Sequence, residues 1–384
     1  MKTPSSLTSA LSTHLAQGIA AHGGWIGFDT FMAQALYTPG LGYYANDSIK
    51  FGTMAHVRQA GEEVAGSDFV TAPEMTPLFG QTLSAQIAQA LQASNTTEVW
   101  EFGAGSGALA LQLLDSLAAL GQPVSRYHIV DLSGSLRARQ QHKLAKFGDQ
   151  VQWVNALPDT LQGVVVGNEV LDAMPVKLLA RTRGVWFERG VAVAPPDLAA
   201  PQDNGPAFVW EDRPTDLRPP VDLEGEHDYL TEIHPQGESF IRTLADKLTR
   251  GAAFFIDYGF PEQEYYHPQR HMGTVMCHQH HKSDPDPLTQ VGLKDITAHV
   301  NFTGIALAAQ DAGLNVLGYA TQARFLINCG LGPRLDASPL PVRVAAQRLI
   351  MEHEMGELFK VIGLCQGEPW DALGFAQGDR THTL

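Results

Sequence analysis

The chain has 384 residues, enough for two domains or one enlarged α/β domain. Hydrophobic residues make up 44% and charged residues 17%, a composition that folds and excludes extensive disorder. A formal net charge of −15 argues against a general nucleic-acid binder, which needs a basic surface.

The three cysteines, Cys277, Cys329 and Cys365, form no CxxC pair and no even framework, so a disulfide scaffold is not expected and a reducing compartment fits. No apolar run approaches the roughly 18–20 residues of a membrane helix, so direct membrane insertion is not expected. Residues 1–24 carry one lysine, the first arginine is Arg58, and neither a signal peptide nor a presequence is legible there. A cytoplasmic location is expected.

In chain order, helical spacing over 5–22 ends at Gly23-Gly24, and a short helix is expected over 28–37. Residues 67–80 read as a loop running into a helix over 76–94. From residue 97 the pattern becomes strand, helix, strand: strands near 98–102, 127–130, 150–154 and 163–167, with helices over 108–120 and 134–147. That alternation signals a parallel sheet with helices on its faces. It lapses between 176 and 232, where short β-like runs sit among prolines 195, 196, 201, 206, 214, 219 and 220, which exclude a long helix. An inserted hairpin region with a mobile loop is expected over this stretch, and whether the loop at 190–222 is ordered stays open. The α/β pattern resumes with helix 236–249 and strand 252–257, and later with helix 303–312, strand 314–320, helix 341–356 and strand 359–364.

The strongest local signal is Glu101-Phe-Gly103-Ala104-Gly105-Ser-Gly107, between a strand and a helix. Glycines let backbone approach a ligand closely, and the following helix offers free N–H groups. The spacing is GxGxG, not the GxGxxG of dinucleotide sites, and an acid precedes the first glycine; both features suit S-adenosylmethionine better than NAD. Asp131 stands 24 residues after Gly107 at the end of the next strand, where a carboxylate accepts from ribose hydroxyls. Capping of the helix over 134–147 is the alternative role for Asp131. Ala156 and Leu157, after the strand over 150–154, fall where the adenine would lie by analogy.

The strand over 163–167 ends in Asn168-Glu169-Val-Leu-Asp172-Ala-Met-Pro175. Ligands in open α/β sheets bind outside the carboxyl ends of strands, so Asn168, Glu169 and Asp172 are catalytic candidates. If a helical turn starts there, Glu169 and Asp172 are i,i+3 neighbours on one face, and paired carboxylates suit a guanidinium. The alternative is that they cap a helix or bind a lysine.

Four segments together carry a resemblance: Glu101–Gly107, Asn168–Pro175, Ser67-Asp-Phe-Val-Thr71-Ala-Pro73-Glu74, and Asp295-Ile-Thr-Ala-His299-Val-Asn301-Phe302. The chain resembles the MidA family from about residue 15 to 365. That family comprises S-adenosylmethionine-dependent methyltransferases, including the mitochondrial arginine methyltransferase that assists assembly of respiratory complex I. The resemblance implies an α/β fold: a class I, Rossmann-like sheet of seven strands with an N-terminal helical extension and an inserted β/loop region. The corresponding segments are 1–95 (extension), 96–175 with 232–365 (core), 176–231 (insert) and 366–384 (tail). It implies that Glu101, Gly103, Ala104, Gly105 and Gly107 line S-adenosyl-L-methionine, and that Asp131, with Leu132 beside it, holds the ribose. Thr71, Pro73 and Glu74 would close the pocket, with Asn168, Glu169 and Asp172 beside the methyl group. It also implies a protein substrate such as an arginine of a complex I-type subunit; a small-molecule acceptor and a cofactor-binding assembly chaperone are the alternatives. Monomer and homodimer both stay open.

Asn301 stands where the family pattern has Asp, which would alter acceptor binding if a carboxylate there holds substrate. His267, His271, His278, His280 and His281 cluster with Cys277, but without metal-ligand spacing, so no metal is expected. Tyr258, His281, Asp295 and His299 are the substrate-binding candidates; partly exposed structural histidines are the alternative for the two imidazoles.

Overall fold

The computed structural model describes residues 4–46, 71–131, 134–195, 205–225, 227–279 and 282–384. The chain divides into two units. One holds the described residues of 71–172, 238–261 and 300–384; the other holds those of 4–46, 173–237 and 262–299.

The larger unit is built on seven principal strands: β1 Glu98–Phe102, β2 Arg126–Val130, β3 Val151–Val154, β4 Leu161–Asn168, β5 Leu248–Phe260, β6 Asn315–Thr321 and β7 Phe359–Gln366. Their order across the sheet is β3-β2-β1-β4-β5-β7-β6. The first five lie parallel, and β7 runs antiparallel to both neighbours. Strands buried on both faces read as continuous apolar runs, which is why Val164-Val165-Val166 and Ala252–Ile256 are legible as strands. This order gives the seven-stranded, Rossmann-like sheet that the resemblance implies.

Helices α1 Leu78–Ser94 and α2 Ala108–Ala119 cover the sheet. In α1, Phe79, Leu83, Ile87 and Leu91 recur every fourth residue and are all at most 1% exposed. Each such side chain contributes about 2 kcal/mol of burial. Helix α3 Gly134–Lys143 follows β2, and α4 Phe302–Asp311 precedes β6.

The strand order reverses between β1 and β4. The chain winds outward from β1 through β2 to β3, then returns to lay β4 on the opposite side of β1. Their carboxyl ends lie level, with Phe102 paired to Gly167. A crevice opens at such a switch point, and here it is flanked by the glycine loop and by Asn168-Glu169.

The second unit has helices Pro4–Ala21 and Phe28–Tyr37 and a five-stranded antiparallel sheet. Strands Lys177–Thr182 and Val185–Val193 join through Arg183-Gly184, both at positive φ (50° and 78°), the two-residue hairpin geometry that matches strand twist. Phe208–Pro214, Tyr229–Ile233 and Ile26–Gly27 complete the sheet. Strands Met276–Gln279, Lys282–Asp284 and Asp295–Thr297 form a smaller one. Leu11, Leu15, Ile19, Phe28, Phe31, Cys277 and Ile296 share one apolar cluster.

These units cut across the segments expected from sequence. Residues 4–46 belong with the insert, whereas 78–94 belongs with the large sheet, because its apolar stripe packs there. Residues 262–299 leave the core for the second unit, since Cys277 and Ile296 bury among its helices. The expected loop over 190–222 starts late: the strand runs to Val193, and Phe208–Pro214 returns along it. Residues 196–204 of that loop lie outside the described residues. No helix among the described residues is long and apolar enough to cross a membrane.

Candidate active site

A pocket at the switch point is lined by Thr71, Pro73, Glu74, Glu101, Gly103, Ala104, Gly105, Ser106, Ala108, Leu109, Asn168 and Glu169. Nine of these are residues singled out from the sequence; Ser106, Ala108 and Leu109 are additions.

The glycine loop takes its shape from three left-handed residues, Gly103 (φ 63°), Gly105 (53°) and Gly107 (80°), a backbone that L side chains rarely adopt. The Gly103 N–H donates to the Val130 carbonyl at 3.1 Å, and Gly107 caps α2.

Glu101 is 2% exposed and accepts from the Tyr127 hydroxyl at 2.7 Å. Burial pushes its pKa up to about 8, with the charge of Asp131 adding to the rise and the Tyr127 hydrogen bond opposing it. Tyr127 lies two residues before Ile129, the β2 partner of Glu101, so the two side chains share a face diagonally.

Glu169 follows β4 with φ 54°, an uncommon left-handed conformation for a non-glycine residue and a form of strain found at functional sites. Its N–H donates to the Ile256 carbonyl, and Asn168 Nδ2 donates to its Oε1 at 3.0 Å. The next three N–H groups, of Val170, Leu171 and Asp172, all donate to Oδ2 of Asp257 at 3.1, 2.9 and 3.2 Å. Burial raises the Asp257 pKa, the charges of Asp172 and Glu169 raise it further, and the backbone donors oppose the rise.

This geometry corrects one expectation. Residues 169–172 form no helical turn, because Asp257 organises the segment as a turn around its carboxylate. Glu169 lines the pocket, whereas Asp172 is buried at 4% exposure and does not, so the two are not a helical i,i+3 carboxylate pair.

The wall opposite β4 comes from residues 71–74. Ser106 donates to Glu74 Oε1, and Lys143 donates to Ser106 Oγ at 2.6 Å. Gln112 holds the segment to α2, donating to the Pro73 carbonyl at 2.7 Å and accepting from the Gly80 N–H.

Asp131 is half-buried and does not line the pocket; its Oδ2 accepts from Gln140 Nε2 at 2.8 Å. Gly107, Ala156 and Leu157 are also absent from the wall; Ala156 is exposed and Leu157 half-buried, since the chain leaves the sheet after Val154. Leu132 and His281 lie outside the described residues. Tyr258 is half-buried in the large unit, edge-on to Phe359. Asp295 is buried in the second unit and accepts from the Tyr44 hydroxyl at 2.8 Å. The His299 N–H donates to Thr274 Oγ1 in the same unit. Asn301 is 3% exposed and accepts from the Gly304 N–H at 3.2 Å as the N-cap of α4, a role Asn fills as well as Asp. Among the described residues, no trio of His, Cys, Asp or Glu is gathered to hold a metal.

Sequence reading missed Tyr127, Gln140, Lys143 and Asp257. Gln140 had a signal: it stands between Leu136 and Leu144 at i±4, a polar residue in a buried stripe, and is itself 0% exposed.

The family model for S-adenosyl-L-methionine-dependent methyltransferases matches residues 82–320. The chain belongs to this family. A Burkholderia thailandensis protein whose crystal structure holds S-adenosyl-homocysteine superposes with a TM-score of 0.88 at 48% identity, over 98% of this chain and 97% of that one. A native crystal structure from the same organism superposes at 0.85 and 46% identity, over 98% and 97% of the two chains. Among curated proteins, the mitochondrial protein arginine methyltransferase NDUFAF7 of Danio rerio is 28% identical, covering 93% of this chain and 87% of the relative. Its Caenorhabditis elegans homologue is 25% identical, covering 79% and 73%.

The pocket suits that cofactor on its own evidence. The left-handed Gly103 and Gly105 bring bare backbone to the pocket wall. Glu101 is a buried carboxyl whose hydrogen-bond partner is the neutral Tyr127 hydroxyl, and a bound cation would recover the cost of ionising it. Asn168 Oδ1 is buried with no hydrogen-bond partner, an acceptor that a ligand donor would satisfy.

Proposed function

We propose that this methyltransferase modifies a guanidinium nitrogen of an arginine in a protein substrate. The observation that carries the reading is the Glu169 carboxylate, held in the pocket wall by a left-handed backbone and by the Asn168 amide. Relatives named protein arginine methyltransferase, similar over most of this chain, support it.

When bound, S-adenosyl-L-methionine supplies an electrophilic methyl group and a thioether leaving group. Glu101, the glycine loop and Asn168 would hold it. The protein's own task is then alignment and water exclusion. A guanidinium is protonated at neutral pH and a poor nucleophile. Glu169 would pair with it, orient one nitrogen toward the donor and stabilise the charge carried through transfer, and that nitrogen would release one proton to water as it gains the methyl group. Asn168 fixes the carboxylate that does so.

We place the protein in the cytoplasm. Cys277, Cys329 and Cys365 are all free thiols, which fits a reducing compartment.

The test is transfer of radiolabelled methyl from S-adenosyl-L-methionine to proteins of a cell lysate, followed by hydrolysis and amino-acid analysis. Label in methylarginine, lost in Glu169→Gln, supports the reading. Label confined to small molecules or to another residue type overturns it.

A further inference from the structure

We infer that Gln140 is the positioning residue of the cofactor site. Its side-chain amide ties together three elements that meet at the switch point. Nε2 donates to the Gly105 carbonyl at 2.9 Å and to Asp131 Oδ2 at 2.8 Å, and Oε1 accepts from Trp153 Nε1 at 2.9 Å. Those partners come from the loop after β1, the end of β2 and the middle of β3. The amide orientation is unambiguous: the indole can only donate, and the carbonyl and carboxylate only accept.

Gln140 is fully buried, so these bonds are not exchanged with water. Its backbone also seats the loop, lying 3.5 Å from the position a Cβ on Gly107 would take. No other natural side chain offers two donors and an acceptor at this reach. Leucine removes all three bonds at once. Glutamate keeps the shape and the indole's acceptor, but turns oxygen toward two acceptors, one of them charged. Gln140 therefore sets where the Asp131 carboxylate and the Gly105 backbone stand, and acts on cofactor affinity through them. The inference concerns donor binding and stands whichever acceptor is methylated.

The experiment is calorimetric titration of S-adenosyl-homocysteine into the full-length protein and into Gln140→Leu, Gln140→Glu, Asp131→Ala and the Gln140→Leu/Asp131→Ala double variant, with thermal melts of each. Gln140→Leu and Gln140→Glu should each raise Kd by about tenfold or more. In the double variant the Gln140 change should cost less than it does on the wild-type background, because residues acting through one another are non-additive and only the part carried by the Gly105 carbonyl remains. With a methyl acceptor in hand, KM for the donor should rise while kcat stays within about threefold. Wild-type affinity in Gln140→Glu overturns the inference, as does an equal loss on both Asp131 backgrounds. Should Gln140→Leu fail to fold, the isosteric Gln140→Glu decides alone.

Discussion

Tyr127 donates its hydroxyl hydrogen to Glu101 Oε2 across 2.7 Å, and both side chains are buried. The bond steadies Glu101 without ionising it: the carboxyl pKa stays near 8, well above its ordinary 4.5. The folded state therefore binds a proton that the unfolded state releases from about pH 4.5 upward. This contribution to stability is full below 4.5 and is lost as pH rises to about 8. Glu101→Gln removes the titration but keeps an acceptor for Tyr127. It should raise Tm relative to wild type by about 2 °C or more at pH 8.5, and by less at pH 5. An equal shift at both pH values refutes the titration. A cation seated in the pocket draws Glu101 back to its ionised form, so binding of S-adenosyl-homocysteine at pH 7 should also release a proton, measurable by calorimetry in buffers of different ionisation enthalpy.

Gly105 holds φ 53° in the pocket wall. Gly105→Val introduces a β-branched side chain where the left-handed conformation is most strained, and fills the space where backbone meets ligand. Affinity for S-adenosyl-homocysteine should fall by about a hundredfold or more. Retained affinity would mean that the cofactor does not lie against this loop.

Glu169 makes opposite demands on stability and function. Its φ of 54° costs a non-glycine residue about 1 kcal/mol that glycine does not incur. Glu169→Gly should thus raise the urea midpoint while lowering kcat by about tenfold or more. Glu169→Gln keeps the strain and should lower kcat with cofactor affinity little changed. Loss of cofactor affinity in Glu169→Gln would reassign the carboxylate to donor binding.

The large sheet was legible because its strands are buried on both faces: Val99–Phe102 and Val164–Val166 are unbroken apolar or aromatic runs apart from Glu101, and Glu101 is the exception that lines the pocket. The glycine loop was legible for a related reason, since its residues carry their conformational requirement in their identity. The short strands Met276–Gln279 and Asp295–Thr297 were not. Their histidine and threonine content hides any period, and their pairing depends on packing against Leu11 and Phe28 from the distant N-terminal helices. The turn at 169–172 was misread because charges at i,i+3 suggest a helix, whereas Asp257, contributed by a different strand, decides the backbone. Gln140 escaped notice because its partners come from three separate segments, and only the fold brings them within reach.

Asp257 carries that turn almost alone. Its Oδ2 satisfies three successive N–H groups, and Oδ1 accepts from the Tyr258 N–H at 3.1 Å. Asp257→Ala leaves these donors orphaned in a buried setting and should destabilise the protein by about 2–4 kcal/mol in urea unfolding. Because the turn presents Glu169, turnover should fall even at temperatures where the variant is fully folded. A loss below about 0.5 kcal/mol would show that water or neighbouring groups replace the carboxylate.

Asn301 stands where the resemblance led to an expectation of Asp and of a substrate-binding carboxylate. The structure gives its side chain a local task instead: Oδ1 accepts from the Gly304 N–H, capping α4. Asn and Asp cap helices about equally, so Asn301→Asp should change stability by no more than about 0.5 kcal/mol. Asn301→Ala should cost about 1 kcal/mol through loss of the cap. Neither change should alter KM for the methyl acceptor, because the residue is buried and already engaged with backbone. A severalfold drop in acceptor KM on Asn301→Asp would instead show that position 301 contacts substrate, and that the departure from the family pattern tunes specificity.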